Sequence, residues 1–235
     1  MSSRKELAGV RIDICSLREA LHKIEHYIQE DGLHAVEAVS MKTVVTAGEE
    51  EEVRQCLEDI DLVIPSDKEI LMELGVTSHK WLEEAREHRF ASEALRNIAR
   101  DRHSIYLLTD TRAQMNELCS FLDHTYGDVA RICGDAVWEE CEEDTEQIVN
   151  EINAVAPHLL LVMLPTPQQE IFLAQHRKML NVRLWFGVGT ENTFTEKKKK
   201  TAGLCKRLLA RRKMKRQIQS YEAEGEEKVK LIISA

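Results

Sequence analysis

Residues 165–170 read Pro-Thr-Pro-Gln-Gln-Glu, a pattern that suits the binding of a phosphate or a sugar. The two prolines end an apolar run, and Gln169 and Glu170 then fall in the first turn of a predicted helix. Backbone N–H groups and amide side chains at a helix start can bind phosphate oxygens or sugar hydroxyls. The alternative is that both side chains only occupy a first turn, where an acid interacts favourably with the helix dipole.

A second polar segment, Pro-Ser-Asp-Lys at residues 65–68, follows the apolar run at residues 61–64. At the end of a buried strand, the carboxylate of Asp67 could take a proton from a sugar hydroxyl as a general base. Ser66 or Asp67 could equally cap a helix that begins at Lys68, because both residue types are common N-caps. The spacing alone leaves the two interpretations open.

The glycines limit which cofactors the protein could bind. Gly187 and Gly189 stand at the end of an apolar run, where glycine lets the backbone bend and approach a ligand closely. The chain has neither a full dinucleotide-binding fingerprint nor a P-loop sequence, which disfavours nicotinamide cofactors and P-loop hydrolysis of nucleotides.

The cysteines and histidines are not spaced as metal ligands. The six cysteines are scattered singly, and His22 and His26 form one isolated pair of histidines four residues apart. The sequence therefore predicts neither a metal site nor a disulfide framework.

Apolar runs of strand length must position these loops. The runs are residues 34–40, 61–64, 104–108, 129–133, 159–164 and 183–188. Several are nearly continuous, as in strands that are covered on both faces, and amphipathic helical patterns lie between them. This alternation predicts an α/β fold with a Rossmann-like, mostly parallel sheet and helices on both faces. Ligands of such sheets bind beyond the carboxyl ends of the strands, where the polar loops fall.

The net charge of −9 is distributed unevenly along the chain. Residues 197–216 contain eleven Lys and Arg and no acid, which leaves about −20 for the rest. We therefore predict an α/β domain over residues 1–195 and a basic C-terminal appendage over residues 196–235. Its interleaved leucines indicate an amphipathic helix that could bind an anionic membrane, contact RNA phosphates or pack on the domain. The basic residues assigned to membrane binding are Lys206, Arg207, Arg211, Arg212, Lys213, Lys215 and Arg216.

Taken in order, these segments resemble the WecG/TagA/CpsF family of bacterial glycosyltransferases over about residues 9–220. The most specific match is residues 161–172, Leu-Val-Met-Leu-Pro-Thr-Pro-Gln-Gln-Glu-Ile-Phe, which resembles the family's Val-Gly-x-Gly-x-Pro-Lys-Gln-Glu segment. Three shorter segments, residues 9–13, 105–108 and 185–189, agree with the family in order and spacing.

The resemblance implies an inverting transfer of an N-acetylmannosamine-type sugar from a UDP donor to a lipid-diphosphate-linked sugar, with no further cofactor. By position, Gln169 and Glu170 correspond to the Gln-Glu of the family motif. Arg89 corresponds to an arginine proposed to contact diphosphate, a task that suits the guanidinium fork. The resemblance thus places UDP near Arg89 and the two glycines that follow the last apolar run.

Two loops differ from the family pattern. Ser40 and Lys42 stand where the family has Thr-x-Asn, and Ser66 and Asp67 stand in its Pro-Asp-Gly motif, which moves the acid by one residue. We expect these four residues to contact substrate, with Asp67 as the base. The alternative is a catalytically impaired relative that serves as a binding or assembly partner.

Location and partners follow from the same reasoning. No apolar run reaches the roughly 18 residues of a membrane-spanning helix. Together with the resemblance, this predicts a cytoplasmic protein, peripheral to the inner face of the cell membrane, whose basic appendage binds the anionic leaflet. The acidic domain disfavours nucleic acid as a partner. Because some relatives assemble as oligomers, a homo-oligomer is a further expectation.

Overall fold

The computed structural model describes residues 3–141 and 145–190. The strands, in chain order, are β1 (Ser3–Leu7), β2 (Val10–Ile14), β3 (His34–Val39), β4 (Leu62–Pro65), β5 (Ser104–Thr109), β6 (Arg131–Val137), β7 (Leu159–Met163) and β8 (Leu184–Gly187). The last six form one sheet in the order β4-β3-β8-β7-β5-β6, and each neighbouring pair is parallel. The predicted α/β class is confirmed.

Helices cover both faces of this sheet. Over the same residues they are α1 (Leu17–Tyr27), α2 (Met41–Glu49), α3 (Glu51–Glu58), α4 (Lys68–Glu73), α5 (His79–Arg86), α6 (Arg89–Arg100), α7 (Arg112–Tyr126), α8 (Thr145–Val155) and α9 (Gln168–His176). Buried side chains of α2, α3, α8 and α9 pack on one face, and those of α1, α6 and α7 pack on the other. This two-sided burial explains why the central strands are apolar almost throughout. In the part of the chain that is described, no helix combines the length and apolar character needed to cross a membrane.

Each of the six predicted runs forms a strand, but the fourth is shifted. The prediction placed it at residues 129–133, whereas β6 spans Arg131–Val137 after a short 3-10 turn at Gly127–Val129. β6 is an edge strand whose buried residues are Ala136 and Val137. Its first residues are solvent-accessible, so apolar character there does not mark where the strand begins.

The apolar patterns do not predict the antiparallel hairpin of β1 and β2. Its first strand is largely polar and exposed, so it lacks the apolar signal of the central strands. Ala8 and Gly9 connect the two strands with φ values of 50° and 79°, as a two-residue type I′ turn requires. Asp13 then accepts a hydrogen bond from the N–H of Val63 (3.0 Å), which attaches the hairpin to β4.

Candidate active site

Gln169 connects three strands at the carboxyl edge of the sheet. It lies in the first turn of α9, which begins directly after the two prolines that follow β7. Its side-chain oxygen accepts hydrogen bonds from the N–H groups of Leu164 (3.4 Å) and Gly189 (3.1 Å), and its side-chain nitrogen donates to Glu37 Oε1. Gln169 therefore holds the loops after β7 and β8 against β3.

Glu37 is an acid inside the buried strand β3, with only 2 % of the residue exposed. Its Oε2 accepts a hydrogen bond from Trp185 Nε1 (3.3 Å). Glu37 is also the register partner of Gly187, where a Cβ atom would overlap the Glu37 carboxylate and lie 2.7 Å from Gln169 Nε2. Gly187 therefore makes room for the Glu37 carboxylate, and the approach of its backbone to a ligand stays a prediction.

Sequence reasoning missed Glu37, although one signal was present. Residues 34–40 contain a lone carboxylate within an otherwise apolar stretch. Burying a charged or polar group is costly unless it has hydrogen-bond partners, so an acid in such a run indicates a specific set of partners elsewhere in the chain. That signal could have marked Glu37 as a site residue.

Glu37 and Glu170 are buried carboxylates that influence each other. Burial raises the pKa of Glu37 well above its ordinary value, and the charge of Glu170 raises it further. Burial also raises the pKa of Glu170, partly opposed by its hydrogen bonds and by the positive charge of Lys42. Two neighbouring carboxylates in a water-excluded interior ionise together only at a large cost. The surroundings of both residues therefore favour the neutral form of each carboxyl group.

Three hydroxyl groups form a chain that ends at Glu170. Ser40 Oγ lies 3.1 Å from Thr43 Oγ1, which lies 3.0 Å from Thr166 Oγ1, and Thr166 donates to Glu170 Oε1 (2.9 Å). Ser40 Oγ also caps α2 by accepting the N–H of Thr43 (3.2 Å). Glu170 Oε2 is buried and has no hydrogen-bond partner among residues 3–141 and 145–190. This environment favours the neutral form of Glu170, because a neutral carboxyl is less costly to bury than a carboxylate.

A small polar pocket opens beside this hydroxyl chain. It is lined by hydroxyl groups, an amide, a lysine and the loop after β8, from Ala38, Ser40, Lys42, Thr43, Thr166, Gln169, Val188, Gly189 and Thr190. Lys42 is exposed in the first turn of α2, and Gly189 has a φ of 65°, a conformation that favours glycine. The structure thus brings together four of the predicted site residues, Ser40, Lys42, Gln169 and Gly189, around one exposed cation at the carboxyl edge of the sheet.

Ser66 and Asp67 make contacts other than a helix cap. Ser66 Oγ donates to the carbonyl oxygen of Val39 (2.9 Å), and Asp67 Oδ2 accepts a hydrogen bond from the N–H of Met41 (2.7 Å). Asp67 occupies the N-cap position of α4, as one alternative expected, but its side chain makes no capping hydrogen bond to that helix. The half-buried carboxylate of Asp67 instead lies at the N-terminus of α2, next to the loop that carries Ser40.

Arg89 belongs to a different part of the edge. It is the first residue of α6, is exposed, and pairs with Glu87 at 3.1 Å. Its chain neighbours His88 and Phe90 line a second, largely apolar pocket to which Ser66 also contributes, and Arg89 itself does not line the polar pocket. Of the predicted site residues, four thus line the polar pocket and Ser66 lines the apolar one, whereas four line neither pocket: Asp67, Arg89, Glu170 and Gly187.

Two further predictions concern the basic appendage and the metal ligands. The basic residues of the appendage, Lys206 to Arg216, lie outside the described residues. Within the described residues, no group of three or more His, Cys, Asp or Glu side chains could hold a metal ion.

The comparison with known proteins covers most of the chain. A model of the Glycosyl transferase WecG/TagA/CpsF family matches residues 5–208, which include most of the hairpin, the complete six-stranded sheet and both pockets. No individual curated protein matches the chain. The resemblance to this family, which is most specific in the loop after β7, is thus confirmed over most of the sequence. The chain belongs to the WecG/TagA/CpsF family of glycosyl transferases, and this membership implies sugar transfer in cell-surface polysaccharide synthesis.

Proposed function

We propose that the protein transfers an N-acetylhexosamine, of the N-acetylmannosamine type, from a UDP-sugar to a lipid-diphosphate-linked sugar. The observation that carries this proposal is the polar pocket at the carboxyl edge of the sheet, where parallel α/β proteins bind their ligands. The ammonium group of Lys42, which lies in the wall of this pocket, can bind the diphosphate of the donor there. The hydroxyl group of Ser40 supplies a neutral polar contact in the same pocket.

The proposed chemistry requires one base. The acceptor hydroxyl attacks the anomeric carbon while the bond from that carbon to UDP breaks, and the base takes the hydroxyl proton. Asp67 is the candidate, because the hydrogen bond from Met41 orients its carboxylate next to the polar pocket's loop. Gln169 and Glu170 hold in place the loops that form the donor site. Arg89 binds the diphosphate of the acceptor.

Titration calorimetry with UDP and UDP-N-acetylhexosamines, followed by transfer to a short-chain lipid-diphosphate-linked sugar, tests this proposal. Asp67→Asn keeps an oxygen for the Met41 N–H but removes the base, so we expect turnover to fall about a hundredfold or more with UDP affinity unchanged. Asp128→Asn, at an exposed position, is the matched control. Unchanged turnover in Asp67→Asn would remove Asp67 from the mechanism, and absence of UDP binding would reject the donor.

A second candidate function is favoured by one observation. Ser66 occupies the position at which the family motif carries its acid, and its hydroxyl is directed to the carbonyl of Val39. A family member that binds the sugar nucleotide without transferring it would serve as an assembly partner in polysaccharide synthesis. The same assay separates the two functions, because this candidate predicts UDP binding with no transfer to any acceptor.

We also propose that the protein binds the inner face of the membrane through its basic appendage. Each Lys or Arg near an anionic surface contributes about 1 kcal/mol, and the sequence places seven of them between residues 206 and 216. Co-sedimentation of the full chain should occur with phosphatidylglycerol vesicles, weaken with salt and be lost when the seven are changed to Gln. Equal binding to neutral phosphatidylcholine vesicles would contradict this proposal. Analytical ultracentrifugation of the same samples tests the proposed homo-oligomer.

A further inference from the structure

An apolar pocket lies between the hairpin, the end of β4 and the helices α1, α5 and α6. Its walls are mostly apolar side chains, among them Ile14, Ile64, Leu71, Trp81, Ala85 and Phe90. The polar pocket is separate from it, but Ala38 of β3 lines both. The two pockets are therefore neighbours at the carboxyl end of β3.

Several polar groups in the wall of the apolar pocket already interact with the protein. Asp13 accepts hydrogen bonds from Arg4 and from a backbone N–H of β4, and Ser66 donates to a backbone carbonyl of β3. Burial raises the pKa of the Cys15 thiol to about 11, so the thiol stays neutral. Glu84 lies 3.9 Å from a lysine of its own helix. The pocket thus offers mainly apolar surface, to which His88 adds an imidazole ring.

An exposed cation stands beside this pocket. Arg89 lies between His88 and Phe90, which both line the pocket, and more than half of its side chain is exposed. Its ion pair with Glu87 is also exposed, and such pairs contribute little. A diphosphate could therefore replace Glu87 as the partner of the guanidinium. An apolar pocket next to an available guanidinium fits a ligand with an anionic head and an apolar chain.

We propose that the apolar pocket binds the part of a lipid diphosphate's chain that lies nearest the phosphates, with Arg89 at the diphosphate. This inference rests on the proposed function, whose acceptor is lipid-linked, and adds the place where the lipid chain enters the protein. Burying the first carbons of the chain selects a lipid diphosphate over a water-soluble one, because only the lipid gains from leaving water.

Titration of the full chain with geranyl diphosphate and with inorganic diphosphate tests the inference. Geranyl diphosphate should bind about tenfold more tightly, since each buried methylene adds affinity. Ala85→Leu fills the pocket and should abolish this difference without changing the affinity for inorganic diphosphate. Ala154→Leu, the same substitution at an exposed position of α8, should leave both affinities unchanged.

Two results would overturn the inference: equal affinity of the wild type for the two compounds, or an Ala85→Leu protein that still binds geranyl diphosphate more tightly. If Ala85→Leu does not fold, Trp81→Ala removes a half-buried wall residue and should weaken geranyl diphosphate alone. Unchanged affinity in that variant would also overturn it. A UDP titration on the same samples is independent, so failure of the proposed donor and failure of the chain site remain distinguishable.

Discussion

Gly187 lies against the carboxylate of Glu37, its register partner across β3 and β8. Because Gly187 has no side chain, the carboxylate of Glu37 and the amide of Gln169 fit over Gly187 on one face of the sheet. Gln169 in turn accepts the N–H of Gly189 at the polar pocket. The geometry of that pocket therefore depends on two residues, Glu37 and Gly187, that do not line it.

Gly187→Ala should destabilise the protein because its Cβ would overlap the Glu37 carboxylate. Overpacking of this kind lowers the free energy of unfolding by about 1–3 kcal/mol, which urea denaturation can measure. Combining Gly187→Ala with Glu37→Ala removes the overlapping group, so the double variant should lose less than the sum of the two single losses. Strict additivity would show that the two residues do not compete for space.

Glu37 should make the protein less stable as the pH rises. Burial and the charge of Glu170 raise the folded-state pKa of Glu37 above its ordinary value near 4.5, so the folded state binds more protons than the unfolded state. The free energy of unfolding therefore falls as the pH rises above about 4.5. Urea denaturation from about pH 5 to about pH 8 should show a shallower fall in Glu37→Gln than in the wild type. Identical slopes would contradict the raised pKa.

His176 should make the protein less stable as the pH falls, which is the opposite of the effect of Glu37. It is buried at the end of α9 against Phe172 (ring centroids 4.7 Å apart), and within the described residues neither ring nitrogen has a hydrogen-bond partner. Burial lowers the folded-state pKa of His176 below 6.5, so the unfolded state takes up the proton first and stability is lost as the pH falls through that value. His176→Leu should reduce this loss, measured by urea denaturation. His22→Leu, at an exposed position, should leave it unchanged.

The sheet was predictable because its strands are buried on both faces, which gives long apolar runs that need no knowledge of the partner strand. The hairpin escaped prediction because the polar residues of β1 carry no such signal. Edge strand β6 shows an intermediate case, since its apolar residues begin before the strand and its burial comes late. Local patterns therefore predict central elements well and peripheral ones poorly.

The site was predictable only where one loop carries the signal. Gln169 and Glu170 stand in a recognisable motif, whereas Glu37 owes its position to Trp185, a partner 148 positions away. Arg89 lies apart from the polar pocket because of how α6 packs on the sheet, and the residues around Arg89 give no sequence signal of that packing. Long-range packing therefore decides which of the predicted polar residues share a pocket.

Lys42 provides the sharpest test of the polar pocket. It is an exposed cation in the pocket wall, and the family has Asn at this position, so Lys42→Ala should weaken UDP binding about tenfold. Titration calorimetry at low and high salt should also show a smaller salt dependence in the variant, because a charge–charge contact is lost. Lys42→Arg keeps the charge and should retain most of the affinity, and Lys178→Ala, exposed after α9, should retain all of it. Unchanged UDP affinity in Lys42→Ala would place the diphosphate elsewhere on the sheet edge.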